Sequence, residues 1–233
     1  MASFAGPSIV NFHQGLVLHL DAINTRSYNT ATSTSTWIDI SGNNNSQTLT
    51  NSPTYNGTSF NFNGTGYATT TSNLVNGLAS NSTEFSVSIW FNYNSTAGYT
   101  AAFEKQSGVG GAVPRMDIGY IGGGTNLIYW TTWYQPTAAV NDMTYGTIIN
   151  AGTWYHTVLT SSAVVGKIGY LNGQPVASGA AIASWPDATQ PLGISGKLRP
   201  MNGSISIVQI YNRALTASEV NQDYQAFRDR YGL

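Results

Sequence analysis

The chain has 233 residues, 41% hydrophobic and 8% charged, with nine Lys plus Arg against ten Asp plus Glu and a formal net charge of −1. Soluble domains ordinarily carry about 25% charged residues; here 27 Thr, 24 Ser and 22 Asn take the place of the missing charge. That balance excludes a polybasic nucleic-acid binder, which displaces counterions with Lys and Arg, and an acidic disordered tail. With 25 Gly among so many poor helix formers it also excludes a helical bundle.

A chain of this length suits one all-β domain with a real core. The absence of Cys excludes disulfides and thiolate–metal sites. Met1 to Pro7 has neither a basic region nor a long apolar run, so no signal peptide is expected. No apolar run approaches the ~18 residues that would cross a membrane. The expectation is a soluble protein made in a cytoplasm.

In chain order, residues 1–14 read as an N-terminal arm and 15–233 as a single domain. Gly15 to Leu20 reads as the first strand, and the Thr/Ser run from Asn29 to Thr36 as a surface loop. Asn56-Gly57 and Asn63-Gly64 are turn signals. From Glu84 to Tyr93, Phe85, Val87, Ile89, Phe91 and Tyr93 share one face, and Ser86, Ser88, Trp90 and Asn92 the other. That alternation predicts a half-buried antiparallel strand. Trp154–Ser161, Lys167–Leu171 and Ser204–Tyr211 repeat the pattern, and Asn172-Gly173 marks a tight hairpin. About a dozen such strands indicate a sandwich or barrel. One helix is predicted, over about 217–230: Thr216-Ala217-Ser218-Glu219 is a capping box, Leu215 and Val220 form its hydrophobic staple, and Val220, Tyr224, Phe227 and Tyr231 make an apolar stripe to lie on the sandwich.

Several segments together resemble one family. Gly15–Ala22 with Trp37–Asn43, Phe60–Tyr67, Phe85–Phe91, Gly152–His156 with Tyr170–Gly173, and Asn202–Ile205 with Ile210–Thr216 resemble, in order, the blocks of concanavalin A-like (laminin-G-like) jelly-roll domains. The resemblance implies a sandwich of two antiparallel sheets with a short C-terminal helix. The single-domain layout resembles versions in tailed-phage structural proteins. It implies a non-catalytic surface protein of the virion, in the capsid or in a tail or fibre, assembled in the host cytoplasm with other capsid or tail proteins as partners. The arm would attach to a neighbouring subunit, and near-neutral charge with unpaired sheet edges favours a homo-oligomer. Asn63 and Ser206 stand where relatives often carry acidic residues, which removes two carboxylates from any cation site.

The superfamily includes glucanases, whose chemistry needs two carboxylates flanking the scissile bond. Here Glu84, Glu104 and Glu219 are the only glutamates, and none has an acidic residue two positions away. The structure is therefore expected to lack a carboxylate pair, and the chain to be no enzyme. His156 reads as a core histidine with a satisfied ring, and Gly122-Gly123-Gly124 as a turn. No cofactor is expected. Calcium is the one metal weighed, with Asp39 and Asn43–Asn45, or Asn141-Asp142, as oxygen sources but no assigned ligands. The second functional reading is a lectin-like module for host surface glycans. Its candidate residues, for which core packing is the leading reading, a protein interface the next and a sugar surface the last, are Tyr129, Trp130, Trp133 and Tyr134 in one aromatic run, and Trp185 and Asp187 in a second loop. Strand alternation leaves at least one of Trp130 and Trp133 facing outward or sitting at a loop. Six Asn-x-Ser/Thr sequences are about what chance produces at this composition and carry no information on glycosylation.

Overall fold

The computed structural model describes residues 14–33, 35–70, 72, 75–96, 98–106, 115–121, 126–134, 139–140, 143–179, 185 and 191–233. For 106, 115, 120–121, 131–134, 139–140 and 143–147 it describes the backbone alone. The proposed arm, residues 1–14, therefore lies outside the described residues apart from Gln14, as do Gly122–Gly124, Asn141, Asp142 and Asp187.

The first half of the chain supplies β1 (Leu16–Asp21), β2 (Thr36–Trp37), β3 (Gln47–Thr50), β4 (Thr54–Tyr55), β5 (Phe60–Asn63), β6 (Tyr67–Thr69), β7 (Phe85–Tyr93) and β8 (Phe103–Gln106). Then come β9 (Arg115–Ile121), β10 (Leu127–Tyr134), β11 (Ala139–Val140), β12 (Met143–Ile148), β13 (Trp154–Ser162), β14 (Gly166–Leu171), β15 (Gln174–Gly179), β16 (Gly193–Ile194) and β17 (Asn202–Tyr211). Helix α1 (Ala217–Phe227) and a 3-10 turn (Arg228–Tyr231) close the chain. All described pairings are antiparallel. One eight-stranded sheet runs β15-β14-β13-β7-β17-β5-β4, with β1 on the same side of β17 as β5; one nine-stranded sheet runs β11-β10-β9-β8-β16-β6-β3-β2, with β12 beside β10. The expected two-sheet sandwich with a C-terminal helix is what forms.

Between the sheets the inward residues meet in one apolar core that includes Leu18, Leu20, Phe62, Phe85, Val87, Ile89, Phe91, Phe103, Ile118, Trp130 and Ile205. Hairpin β14–β15 turns on Asn172 and Gly173, both at positive φ (49° and 76°), the pair a tight primed turn requires. A Cβ at Gly173 would lie 3.0 Å from the Tyr224 side chain, because α1 crosses directly over this turn.

That crossing alters one expectation. β7 is not half-buried: every residue except Asn92 is buried. The reason is α1, which starts where predicted. Thr216 accepts from the Glu219 amide (3.2 Å), and the Glu219 carboxylate accepts from the Thr216 amide (2.8 Å). The helix then lies on the outer face of the eight-stranded sheet, where Leu16, Val158, Tyr170, Tyr211, Leu215 and Val220 form a second apolar layer. Trp90 stacks against His156 (4.9 Å between centroids) and Tyr231 (4.4 Å). Beside it, Ser88 Oγ donates to Asp223 Oδ2 (2.8 Å), and His156 Nε2 lies 2.9 Å from Ser88 Oγ and 3.1 Å from the same carboxylate. Gln209, with its amide nitrogen toward Asp223, donates to both oxygens at 3.1 and 3.2 Å. The Ser, His and Asp do not form a nucleophilic relay, since serine and aspartate share one ring nitrogen and all three residues are buried. The cluster pins α1 to the sheet. His156 is thus buried as expected, but its ring is only half satisfied: Nε2 is engaged and Nδ1 has no partner among the described residues. The end of the chain is tied back by Arg230, which donates to both Asp21 oxygens (2.9 and 3.2 Å).

Candidate functional site

With one outer face sealed, the outer face of the nine-stranded sheet is the place to look for a ligand surface. Cross-strand register builds a row there, one residue from each of seven strands. Thr36 pairs with Thr48, Thr48 with Thr69, Thr69 with Gly193, Gly193 with Glu104, Glu104 with Asp117, and Asp117 with Thr131. Their neighbours Trp37, Ala68, Phe103, Met116 and Ile118 are core residues, so alternation sets Thr36, Thr48, Thr69, Glu104 and Asp117 on the opposite side. At about 4.8 Å per strand the row crosses roughly 29 Å of sheet without an apolar side chain.

The row has two parts. In the threonine part Thr48 is exposed, Thr36 and Thr69 are half-buried, and the half-buried Tyr67, paired with Thr50, stands one step along β6. In the acidic part Glu104 and Asp117 are only 3% and 0% exposed. The 195–199 turn lies over them: Glu104 Oε2 accepts from the Leu198 amide (3.4 Å), and Arg199 Nη1 stands 3.5 Å from Asp117 Oδ2. A Cβ on Gly196 would approach Glu104 Oε2 to 2.8 Å, so the turn presses directly on the carboxylate. Burial, then the neighbouring Asp117 charge, pushes the Glu104 carboxyl up to about 7, against the opposing pull of Arg199 and the turn amides.

This pair corrects the expectation that no two carboxylates would meet. Glu104 and Asp117 sit directly opposite each other on adjacent strands, an arrangement invisible to a search along one strand. The correction concerns geometry only: both groups are buried and engaged by the turn.

The residues singled out in the sequence scatter. Trp130 is fully buried in the core, and Trp185 is 2% exposed, packed edge-on against Phe85 (5.4 Å) and Phe103 (6.2 Å). Both rings are therefore withdrawn from any sugar, because the sandwich core needs aromatic volume at those positions. Tyr129 is half-buried and pairs with Tyr120 and Thr144. Trp133 pairs with Arg115 and Val140, and Tyr134 with Ala139, in a stretch where the backbone alone is described. Asp39, weighed for calcium, spends its oxygens on its own loop and on β1: it accepts from the amides of His19, Ser41 and Asn45 at 2.9 Å each. Asn45 in turn donates to the Val17 carbonyl (2.7 Å). Asn63 accepts from the amides of Thr65 (3.2 Å) and Gly66 (3.1 Å), and Ser206 donates to the Thr58 carbonyl (2.7 Å), so both act as local staples. Among the described residues there is no cluster of three metal-ligating His, Asp or Glu side chains, and no helix is long and apolar enough to cross a membrane.

Comparison with solved structures gives the same architecture. Domain 4 of AbnA, an extracellular arabinanase from Geobacillus stearothermophilus, solved in complex with arabinotriose, superposes over 89% of this chain and 97% of that one, with a TM-score of 0.60 and 19% identity. The binding domain of botulinum neurotoxin DC, solved in complex with SialylT, covers 91% of this chain with a TM-score of 0.67 and 16% identity; the match spans 51% of that chain. A Trypanosoma rangeli sialidase matches over 92% of this chain and 33% of its own, with a TM-score of 0.65 and 20% identity. No curated protein sequence matches. The family model for the concanavalin A-like lectin/glucanases superfamily matches residues 62–221, well over half of the 233. The chain belongs to the concanavalin A-like lectin/glucanase superfamily.

Proposed function

We propose that this protein is a non-catalytic module that recognises a neutral oligosaccharide on the outer face of its nine-stranded sheet. The observation that carries the reading is the cross-strand polar row. A row of threonines beside Tyr67, with Tyr129 at the β10 end, offers hydrogen-bonding groups and aromatic faces of the kind sugars use, Thr69 being held in place by its bond to the Leu192 carbonyl (2.7 Å). Glu104 and Asp117 bring carboxylates into the same face and Arg199 and Lys197 of the covering turn offset them, so the face carries little net charge, which suits a neutral sugar. Burial under the turn, with backbone amides on the Glu104 carboxylate, supports binding without hydrolysis. That two neighbours were solved with oligosaccharides adds weight to the class of ligand.

Titration calorimetry with arabinotriose and with a sialylated oligosaccharide tests this, backed by a glycan array for breadth. The neutral sugar should bind more tightly, with no new reducing ends released. Thr48→Val and Tyr67→Ala should each weaken binding by about tenfold, the scale of one lost hydrogen bond or ring contact. Silence across the array rejects the reading. A place on a phage particle, implied by the single-domain resemblance, is compatible with it, since a particle-borne module of this kind would hold host glycans. High copy number in purified particles by mass spectrometry is the expected result there, and absence overturns that placement.

A further inference from the structure

Helix α1 and the 3-10 turn cover only part of the eight-stranded sheet. Asn92, the one residue of β7 that escapes burial, marks where the cover stops. Register lays a second cross-strand row through it. Trp154 pairs with Asn92, Asn92 with Ser204, Ser204 with Asn61, and Asn61 with the exposed Thr54. The neighbours Tyr155, Phe91, Tyr93, Ile205, Phe60 and Phe62 are core residues, so alternation turns Trp154, Asn92, Ser204 and Asn61 to the outer face. Four strand spacings make a row of about 19 Å. No member of it is charged.

The row has a ring at one end and amides beside it. Trp154 is half-buried and packs against Tyr231 (4.6 Å between centroids, 34° between planes), which itself stacks on Trp90 at 4.4 Å. The indole is therefore a braced platform at the edge of the aromatic stack. The neighbouring amides spend themselves on one another: Asn61 Nδ2 donates to Ser204 Oγ (3.4 Å), and one step along the strands Asn94 Nδ2 donates to Asn202 Oδ1 (3.1 Å). Asn92 differs. The residue is half-buried, yet its Oδ1 is shielded from solvent and has no hydrogen-bond partner among the described residues. A carbonyl oxygen so placed gains strongly from a donor. The last torsion of an asparagine is soft and two-fold, so the amide can turn this oxygen to the open side to meet one.

An aromatic face one strand spacing from an acceptor suits a ligand with an apolar ring face and a hydroxyl edge. An anion is disfavoured, because it brings acceptors to an acceptor and meets no cation in the row. We propose that Trp154 and Asn92 form a second binding site, which takes one neutral hexose ring: the sugar stands on the indole and donates a hydroxyl to Asn92 Oδ1. The site lies on the opposite sheet from the threonine row and does not rest on that reading.

In the full-length protein the side-chain N–H signals of Trp154 and Asn92 report the site directly by heteronuclear NMR, and Trp154→Phe and Asn92→Leu identify them. The probes are the methyl glycosides of glucose, galactose, mannose and N-acetylglucosamine. At least one should move both signals, with a dissociation constant in the millimolar range. Asn92→Leu removes an acceptor that no described residue uses, so it should fold and weaken the response at Trp154 by about tenfold. Thr48→Val should leave that response unchanged. Four sugars that leave both signals in place overturn the proposal, and so does an Asn92→Leu variant that binds as tightly as wild type. Shifts confined to the surroundings of Thr48 and Tyr67 overturn this site and uphold the threonine row; shifts confined to Trp154 and Asn92 do the reverse.

Discussion

The two sheets of this sandwich treat their outer faces in opposite ways. On the eight-stranded sheet, α1 turns an exterior into an interior, and Trp90, His156, Ser88 and Asp223 sit as deep as core residues. On the nine-stranded sheet the corresponding surface stays polar, with a threonine half open and an acidic half pressed under a turn. The contrast teaches that a sheet's second face is assigned by what the chain places over it. Ser88 and Glu104 are both polar, outward-pointing strand residues; one anchors a helix and the other lies under a turn on the face proposed to bind sugar.

Replacing Trp90 by Ala is the harshest way to break the sealed face. Removing a fully buried indole that three rings stack on should cost about 3–5 kcal/mol. Urea unfolding should show it, together with faster amide exchange throughout α1. An unchanged midpoint would mean that α1 contributes little to the sealed face.

The acidic half responds to pH instead. The Glu104 carboxyl is held near 7 when folded, against 4.5 as the ordinary value. Below pH 4.5 it is neutral in both states, and its contribution to stability is intact. Between 4.5 and about 7 only the unfolded chain ionises, so stability declines as pH rises and levels off above 7. The total loss is roughly 3 kcal/mol. Glu104→Gln should flatten that part of the profile, measured by denaturant titration at pH 4 to 8. A wild-type profile already flat there would remove the buried-acid account.

Gly173→Ala sharpens the contrast locally. It puts a side chain at positive φ and into Tyr224, so about 1–2 kcal/mol should be lost by thermal or urea unfolding. Thr216→Ala is milder still, at about 1 kcal/mol for a lost helix cap, and should leave the proposed sugar binding on the other sheet unchanged.

How far the fold was legible follows from where each signal resides. The Phe85–Tyr93 alternation, the Asn172-Gly173 turn and the Thr216 capping box are local, and each appears where the residues indicate. The burial of Ser88 was not legible, because its partner Asp223 is 135 residues away in the chain. The Glu104–Asp117 pair escaped for a related reason: the two carboxylates face each other across strands, where sequence spacing carries no register. The threonines of the row are plain in the composition, but only pairing through β3, β6 and β16 brings Thr36, Thr48 and Thr69 into line. The dense aromatic runs admitted core, interface and ligand readings alike, and Trp130 and Trp185 took the first, filling the core. A ring's value as apolar volume and as a sugar platform looks the same in sequence.

Because α1 covers β7 and β13 from the far end of the chain, the sheet it seals is completed last during synthesis. Until Thr216 and the residues after it leave the ribosome, Trp90, Val158 and Tyr211 face water on a sheet that is otherwise ready to form. A nascent chain stalled before α1 presents an apolar slab to its neighbours, and quality control would find it there.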